Sequence, residues 1–499
     1  MSHTFQRLFL VAALFGCIGV HATDGDLDPS FGSGGKVRLT VDPFNQPTGA
    51  TLVATDVVVQ PDGKILLAGY AAASDSEWIV IRLNEDGSYD NTFGIGQNGI
   101  AYFYVFGPAD NQATSIALRP NGKIVVGGTI NDSNTGLVTA VAIQLNSNGS
   151  LDSTWGNNGA VYFTPVAGDA TRTRAIVLDT VDPYALGTLY LVGQYTHGGN
   201  FPCNHFFYGG ISVDGKTRVS NDYGASDACT VNESATSVAV QPGTGNIIVG
   251  GFSAFASGAS RCTAISTVIL PSPVFSAAHL YTPWGTNGVT SFTVAGAPIP
   301  NDYCDATTVT AGGSTFLAGR GTMAIGSNTY QAAILGWLDA NGAVVKFGLG
   351  PEPALIAFDY HAHTPLIAND ANTVNKLIVQ PYGSLLLPAG YNNDPHYVLP
   401  FTGDDFAVGR FSVSSGNGLN PDPAFNNGTG AIFDWGSYFN GPNNIYVSNE
   451  RVQSEAFDPQ GRLILVGYSA DPAGGTDIAI ARLKPFDGIF KSSFEAPSY

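Results

Sequence analysis

The sequence has few charged residues, and basic residues are the scarcer kind. Only 12% of its 499 residues are charged, with 21 Lys and Arg against 39 Asp and Glu, and the formal net charge is -18. Such a surface repels phosphate backbones and anionic lipid headgroups, and no basic cluster offsets it. We therefore expect neither nucleic acid nor a membrane surface as a partner.

Long apolar runs are also lacking, apart from one near the N-terminus. Residues 8–20 are apolar, follow Arg7 and lead into Val20-His21-Ala22, a small-x-small sequence. This run is too short for a bilayer span and is typical of a secretory signal. We predict a cleaved signal peptide over 1–22, and hence a protein secreted to the periplasm, cell surface or medium. The alternative is an uncleaved anchor.

The 62 Gly and 29 Pro residues follow a long repeat, without the short period of collagen. Each copy reads as an apolar strand, a Pro-x-Gly turn and a second apolar strand ending in Gly. The copies are 56–70, 115–128, 237–251, 376–391 and 455–468, with weaker ones at 175–195 and 306–320. In Gln60-Pro61-Asp62-Gly63, Pro fixes φ and Gly adopts the positive φ that reverses the chain. Seven β-hairpins are therefore predicted.

A second half follows each hairpin, as in "WIVIRLNEDGSYDNTFG" (78–94) and "VAIQLNSNGSLDSTWG" (141–156). It supplies a third strand, a Gly turn, an aromatic-Gly pair and a short fourth strand. These strands are apolar on both faces, so each sheet must be covered on both sides. We predict an all-β fold, a seven-bladed β-propeller of four-stranded antiparallel blades. Two stacked β-sandwiches are the alternative, but their edge strands would alternate apolar with polar residues.

The phrases "QPDGKILLAG" and "RLNEDGSYDNTFG" resemble the delta-60 repeat, a bacterial repeat of about this length. The resemblance covers nearly all of 24–488 and is closest in the first, second, sixth and seventh units. It implies a propeller in a secreted or surface protein. The family carries no established catalytic residues, so the resemblance implies fold and location more than activity.

Shortly after the predicted signal peptide, "LDPSFGSGGKVRLTV" (27–41) has the ending of a repeat without its beginning, whereas the last repeat lacks a fourth strand. Val37, Leu39 and Val41 alternate with polar residues, as in a strand with one apolar face. We predict that this segment completes the C-terminal blade and closes the ring. The predicted domains are a signal peptide (1–22), one propeller (23–488) and a C-terminal tail (489–499).

Cysteine is scarce, and four of the five cysteines lie beyond the predicted signal: Cys203, Cys229, Cys262 and Cys304. An even number in an exported chain favours disulfides, and three pairings are possible. The first two precede strands of units three and four, and the other two hold matching places one unit later. We therefore prefer Cys203–Cys229 and Cys262–Cys304. A zinc site is the rival, but no CxxC spacing supports it.

Two groups of residues could bind a metal ion. Asp359, His361 and His363 in "DYHAH" could face one way on an extended segment, with a solvated loop as the alternative. His205 stands beside Cys203 but gains little from an oxidised cysteine. Four aspartates share one position three residues before an aromatic, where they could cap turns or bind calcium. They are Asp28, Asp90, Asp152 and Asp422.

Trp155 and Trp284 occupy the same slot as Phe31 and Phe93, so we expect blade core and not a sugar platform. Three functions are compatible with these features. A monomeric binding or structural scaffold for a protein or glycan comes first, with no cofactor required. An enzyme of lyase or glycosidase type, with carboxylates converging in the central channel, is second. A calcium-stabilised surface scaffold is third.

Overall fold

The computed structural model describes most of the chain between residues 24 and 486, and within these parts it is almost entirely β. The described residues are 24–40, 51–72, 76–103, 111–132, 136–164, 169–180, 186–198, 203–224, 230–270, 276–293, 301–325, 328–346, 355–358, 360, 371–380, 385–393, 404–414, 418–433, 438–439, 445–446, 450–471 and 474–486. None of the helical segments in these ranges has the length and apolarity to pass through a bilayer. The predicted signal peptide and C-terminal tail lie outside them.

Consecutive strands form antiparallel sets, numbered here in chain order. Sets 1 to 3 are Thr51–Val59, Ile65–Ala72, Ser76–Leu83, Ile100–Phe103; Gln112–Leu118, Ile124–Asp132, Leu137–Leu145, Ala160–Phe163; and Ala170–Leu178, Leu189–His197, Cys203–Ile211, Arg218–Tyr223. Set 4 is Val231–Val240, Ile247–Phe255 and Ser260–Leu270, which pairs with both Ser276–Leu280 and Val289–Phe292. Set 5 is Tyr303–Val309, Thr315–Ile325, Asn328–Leu338 and Leu355–Phe358.

Set 6 is the least regular. It contains Ala371–Val379, Leu385–Asn393, Asp405–Val408, Phe411–Ser414, Gly418–Pro421 and Ala431–Phe433, with a 3-10 turn at Asn426–Gly428 and a separate hairpin of Tyr438–Phe439 and Ile445–Tyr446. The sequence predicts one third strand through "DFAVGRFSV", but the structure has two, Asp405–Val408 and Phe411–Ser414. Pro388 in the facing strand has no N–H to donate, and between the two segments the Gly409 N–H bonds to the Pro388 carbonyl at 3.1 Å.

Set 7 combines strands from both ends of the described chain. Its first three strands are Glu450–Phe457, Leu463–Ala470 and Thr476–Arg482. Lys36–Leu39 pairs antiparallel with the last of these, with Val37 opposite Ile480. The strand nearest the N-terminus is thus the fourth strand of the last set. Val41 lies outside the described residues.

The tight turns between the first and second strands have the geometry that the Pro-x-Gly motifs predict. Gly63 has a φ of +84° and donates its N–H to the Gln60 carbonyl at 2.9 Å. The two flanking strands are buried on both faces for most of their length. Sheets buried on both faces, arranged as consecutive antiparallel sets, make the fold all-β and propeller-like.

The first strand of every set carries a β-bulge at the same place. In set 1 the register shifts between Ala54 and Asp56, which leaves Thr55 unpaired. The equivalent unpaired residues in sets 2 to 7 are Thr114, Arg174, Thr236, Asp305, Asn375 and Gln453. The facing residue on the second strand is Gly: a Cβ on Gly69 would overlap the Val53 carbonyl oxygen. Close approach of the bulged backbone therefore explains the Gly that ends each repeated hairpin.

Replacing this glycine tests the role of the bulge. We expect Gly69→Ala to lower stability by about 1–3 kcal/mol, because the new methyl group must displace backbone in a packed interior. Gly96→Ala is the matched control, since a Cβ there meets nothing closer than 3.5 Å. Urea unfolding of both variants measures the difference. Equal midpoints for the two variants would contradict the explanation.

The buried aromatic of the repeat packs against the neighbouring set. Phe93 of set 1 is fully buried and lies against Gly149 in the turn of set 2, where a side chain would overlap the ring. The same contact is made by Trp155 with Gly215, by Trp284 with Gly342, by Phe425 with Gly25 and by Phe31 with Gly87. Trp155 and Trp284 are 2% and 1% exposed, so the predicted core role is confirmed, and the core they fill lies between sets.

Candidate functional site

The unpaired bulge residues of all the sets line one small cavity of about 110 Å³. Thr55, Thr114, Arg174, Thr236, Asp305, Asn375 and Gln453 all contribute to it, together with their neighbours on the same strands. The bulge turns each of these side chains inward from its first strand. The cavity is therefore where side chains from distant parts of the sequence converge.

Three of the bulge residues are threonines that connect adjacent sets. The Thr55 hydroxyl lies 3.1 Å from the Ala68 carbonyl of its own set and 2.9 Å from the Ala113 carbonyl of set 2. Thr114 makes this pair of contacts with Gly127 and Thr173, Thr236 makes it with Gly250 and Cys304, and the Asn375 amide reaches the Val452 carbonyl. These bonds join neighbouring innermost strands, between which the described residues form no strand ladder.

Asp56 is the most heavily bonded carboxylate at the cavity. It accepts hydrogen bonds from the Ser115 hydroxyl at 2.7 Å, the Ile116 N–H at 3.0 Å and the Ser454 hydroxyl at 2.5 Å. The Lys376 ammonium lies 3.3 Å away. Burial alone would raise the pKa of Asp56, but the Lys376 charge and these hydrogen bonds lower it below its usual value. Asp56 is thus ionised and holds sets 1, 2, 6 and 7 together.

A second charged group lies on the opposite arc of the cavity. Asp305 of set 5 forms a 2.7 Å ion pair with Arg320, and Arg174 of set 3 lines the same cavity. Burial raises the pKa of Asp305, although both arginines act to lower it. Burial also lowers the pKa of Arg174, as does the charge of Arg172. On this side of the cavity one carboxylate, Asp305, therefore lies near two cations, Arg174 and Arg320.

Glu455, the neighbour of Ser454, is a buried carboxyl that faces the Ile378 backbone N–H of set 6. Burial holds the pKa of Glu455 well above its usual value, and the Lys376 charge and the Ile378 N–H only partly oppose this. A carboxyl with a raised pKa is a general-acid candidate where substrate reaches it. Glu455 is 2% exposed and sits between the first strands of sets 6 and 7, so its raised pKa has a packing origin.

The four predicted turn aspartates cap turns, and they also form contacts that the sequence did not indicate. Asp90 accepts from the Thr92 N–H at 3.0 Å and the Thr92 hydroxyl at 2.7 Å, while its other oxygen pairs with Arg82 at 2.8 Å. Asp28 pairs with Arg482 and Arg462, Asp152 with Lys123, and Asp422 with Arg410. Donors thus engage both carboxylate oxygens. Calcium binding at these positions stays a prediction.

The segment "DYHAH" is described at one residue. Asp359, His361 and His363 lie outside the described residues, and of this segment only Tyr360 is described, buried with its hydroxyl on the Thr373 carbonyl.

The cysteines are oxidised where they are described. Cys262 and Cys304 form a disulfide that joins set 4 to set 5. Cys203 is also disulfide-bonded, and its predicted partner Cys229 lies outside the described residues.

Sequence reasoning missed a group of ionisable residues in set 3. His205 meets His197 and Asp222 there, with one ligand atom of each within 4.8 Å of the others. The three are up to 25 residues apart and lie on three strands, so no short motif contains them. The strand register would have indicated this group, because it places the three residues on one face of the hairpin and of the strand next to it.

Three segments of the chain, 60–93, 119–154 and 459–494, match the family model described as "Domain of unknown function (DUF5122) beta-propeller". No curated protein sequence matches the chain. Fold and matches together define a β-propeller repeat protein.

Solved structures are similar to this chain only at a low level. Bacillus subtilis levansucrase has a TM-score of 0.31 at 12% identity, over 80% of this chain and 90% of that one. The WD40 domain of SCAP from fission yeast has a TM-score of 0.30 at 10% identity, over 92% and 91%. Fructan 1-exohydrolase IIa from Cichorium intybus has a TM-score of 0.26 at 12% identity, over 90% and 91%. Similarity at this level carries no argument about activity.

Proposed function

We propose that the chain is a secreted, seven-bladed β-propeller of the delta-60 type, and that it serves as a rigid scaffold for a protein or glycan partner. The proposal rests on one observation: the polar side chains at the centre form hydrogen bonds between neighbouring sets. Thr55, Thr114, Thr236 and Asn375 bond to the innermost strand of the adjacent set, and Asp56 joins four sets. The centre therefore holds blades together.

Closure of the ring is supported by contacts that repeat around it and continue across the chain ends. One cavity is lined by the bulge residue of every set. Phe31 contacts Gly87 of set 1 as Phe93 contacts Gly149 of set 2. Asp28 pairs with Arg482 as Asp90 pairs with Arg82. A segment that makes each contact of a fourth strand in the matching place is best interpreted as that strand.

Export to an oxidising compartment is supported by the disulfide between Cys262 and Cys304, since such bonds persist outside the cytosol. We also propose that the chain is a monomer and that it binds its partner through its loops, because loops on a rigid frame are where propellers bind ligands. The cavity of about 110 Å³ is far smaller than a typical pocket for a drug-sized ligand, roughly 300–1,000 Å³. Recognition is therefore assigned to the loops and not to the centre.

The enzyme alternative has one specific observation in its favour: Asp56 and Asp305 line the same cavity. The test incubates the secreted chain with a panel of polysaccharides and measures reducing ends and unsaturated products. We expect no more product than in a protein-free blank. Turnover by the wild type that disappears in folded Asp56→Asn or Asp305→Asn variants would replace the scaffold proposal with a central active site.

A further inference from the structure

Three side chains of set 3 converge on one point. In the hairpin of Leu189–His197 and Cys203–Ile211, Tyr195 is opposite His205, so His197 is the diagonal neighbour of His205 on the same face. Asp222 follows on the next strand, Arg218–Tyr223, as a diagonal neighbour on that face. Gly224 leaves room for the His205 ring, because a Cβ there would overlap it.

The ligand atoms of these residues lie unusually close together. His197 Nε2 is 3.2 Å from His205 Nδ1 and 3.1 Å from Asp222 Oδ2, and His205 Nδ1 is 2.6 Å from the same oxygen. A tetrahedral zinc centre with bonds of about 2.05 Å separates its ligand atoms by about 3.3 Å. An ion would therefore be seated if the His205 Nδ1–Asp222 Oδ2 pair opened by about 0.7 Å, while the other two separations need to change by only about 0.1–0.2 Å.

The outer ring nitrogen of His197 faces a carboxylate that favours a proton there. His197 Nδ1 lies 3.9 Å from Asp169 Oδ2, and Asp169 is fixed by the Tyr195 hydroxyl and the Gly198 N–H, each at 2.7 Å. A proton on His197 Nδ1 leaves a lone pair on Nε2, the nitrogen that faces His205 and Asp222, as carboxylate–histidine–metal arrangements require.

We infer that His197, His205 and Asp222 bind one Zn²⁺ ion, with water as the fourth ligand. Two imidazole nitrogens and a carboxylate oxygen suit zinc, and an open fourth position completes the tetrahedron. The side chains of His197 and Asp222 are 37% and 31% exposed, so the ion can enter and keep a water, whereas His205 is buried. The bound ion would clamp the edge strand Arg218–Tyr223 to the hairpin.

The test titrates Zn²⁺ into the full secreted chain after dialysis against EDTA, followed by isothermal calorimetry. We expect one ion per chain, and an affinity at least about tenfold lower in both Asp222→Asn and His197→Gln. His279→Gln is the control, because His279 is an exposed histidine on another set, and it should bind as the wild type does. No binding, or unchanged affinity in both variants, would overturn the inference.

A second readout does not depend on the variants. Co²⁺ in place of Zn²⁺ should give the visible absorption of a tetrahedral centre in the wild type. Amide exchange in 218–223 should slow when either ion is bound, since the edge strand gains a cross-link. A spectrum of hydrated Co²⁺, or exchange in 218–223 that is unaffected by the ion, would contradict the site even if the variants failed to fold.

Discussion

Removing residues 24–40 is expected to abolish cooperative folding of the chain. This segment supplies the fourth strand of set 7, and its backbone also bonds twice to Arg482 at the end of the preceding strand, from the Asp28 N–H to the Arg482 carbonyl and from the Arg482 N–H to the Gly35 carbonyl. Leu39 and Phe31 are buried, and each such side chain contributes about 1.5–3 kcal/mol. The deletion would therefore expose the apolar faces of sets 1 and 7 together.

The deletion also leaves a buried cation without its carboxylate partner. Arg482 is 1% exposed, its guanidinium pairs with Asp28 at 2.8 Å, and it lies over the Phe31 ring at 4.6 Å from the centroid. Removing one partner of a buried ion pair costs about 3–5 kcal/mol. Added to the lost burial, this approaches the roughly 5–15 kcal/mol net stability of a typical domain.

Two point variants give the matched comparison for this prediction. Phe31 and Phe93 occupy the same slot, one in the N-terminal segment and one inside set 1, and both are 0% exposed. We expect Phe31→Ala and Phe93→Ala to lower stability equally, by about 3–5 kcal/mol, as measured by chemical unfolding. A much smaller loss for Phe31→Ala would mean that the N-terminal segment is peripheral.

The second large effect is expected from the disulfide between sets 4 and 5. Cys262 and Cys304 are 42 residues apart in sequence and both 0% exposed, so the bond closes a long loop between buried strands. Closing a loop of that length stabilises a fold by about 4 kcal/mol in the chain-entropy account. We expect the double variant Cys262→Ala and Cys304→Ala to lose about that much, because alanine adds no buried polar group.

Reductant provides the control for the disulfide prediction. The gap in stability between wild type and double variant should close when a thiol reductant is added, because both proteins then lack the bond. The disulfide of Cys203 is reduced in both and cancels. A gap that persists under reduction would show that the variant loses packing and not the cross-link.

Much of the fold could be predicted from residues close together in sequence. The Pro-x-Gly motifs determine local hairpins. The aspartate that precedes each aromatic residue accepts hydrogen bonds from groups two residues further on, as Asp90 does from Thr92. The N-terminal strand could be predicted because the repeat leaves one copy without its end. Even the break in set 6 had a visible sign in Pro388, since proline cannot donate to a ladder.

The contacts between sets could not be predicted, because they join residues far apart in the chain. The bulge residues read as ordinary strand positions, and only the register shift turns Thr55 towards Ala113, 58 residues away. Asp56 meets Ser454 across 398 residues. His197 and Asp222 can be recognised as neighbours of His205 only when the pairing of their strands with the strand of His205 is known. Register between elements, which repeats alone do not specify, determines the candidate sites.

Residue-resolved hydrogen exchange of the strand Thr476–Arg482 in the intact protein tests the closed ring most directly. This strand pairs with Leu463–Ala470 on one side and with Lys36–Leu39 on the other. If the N-terminal segment completes the last blade, all amides of 478–482, the part that it covers, should be protected, and alternate ones there should not exchange faster than the rest. Rapid exchange at every second amide would show an open edge and contradict the account.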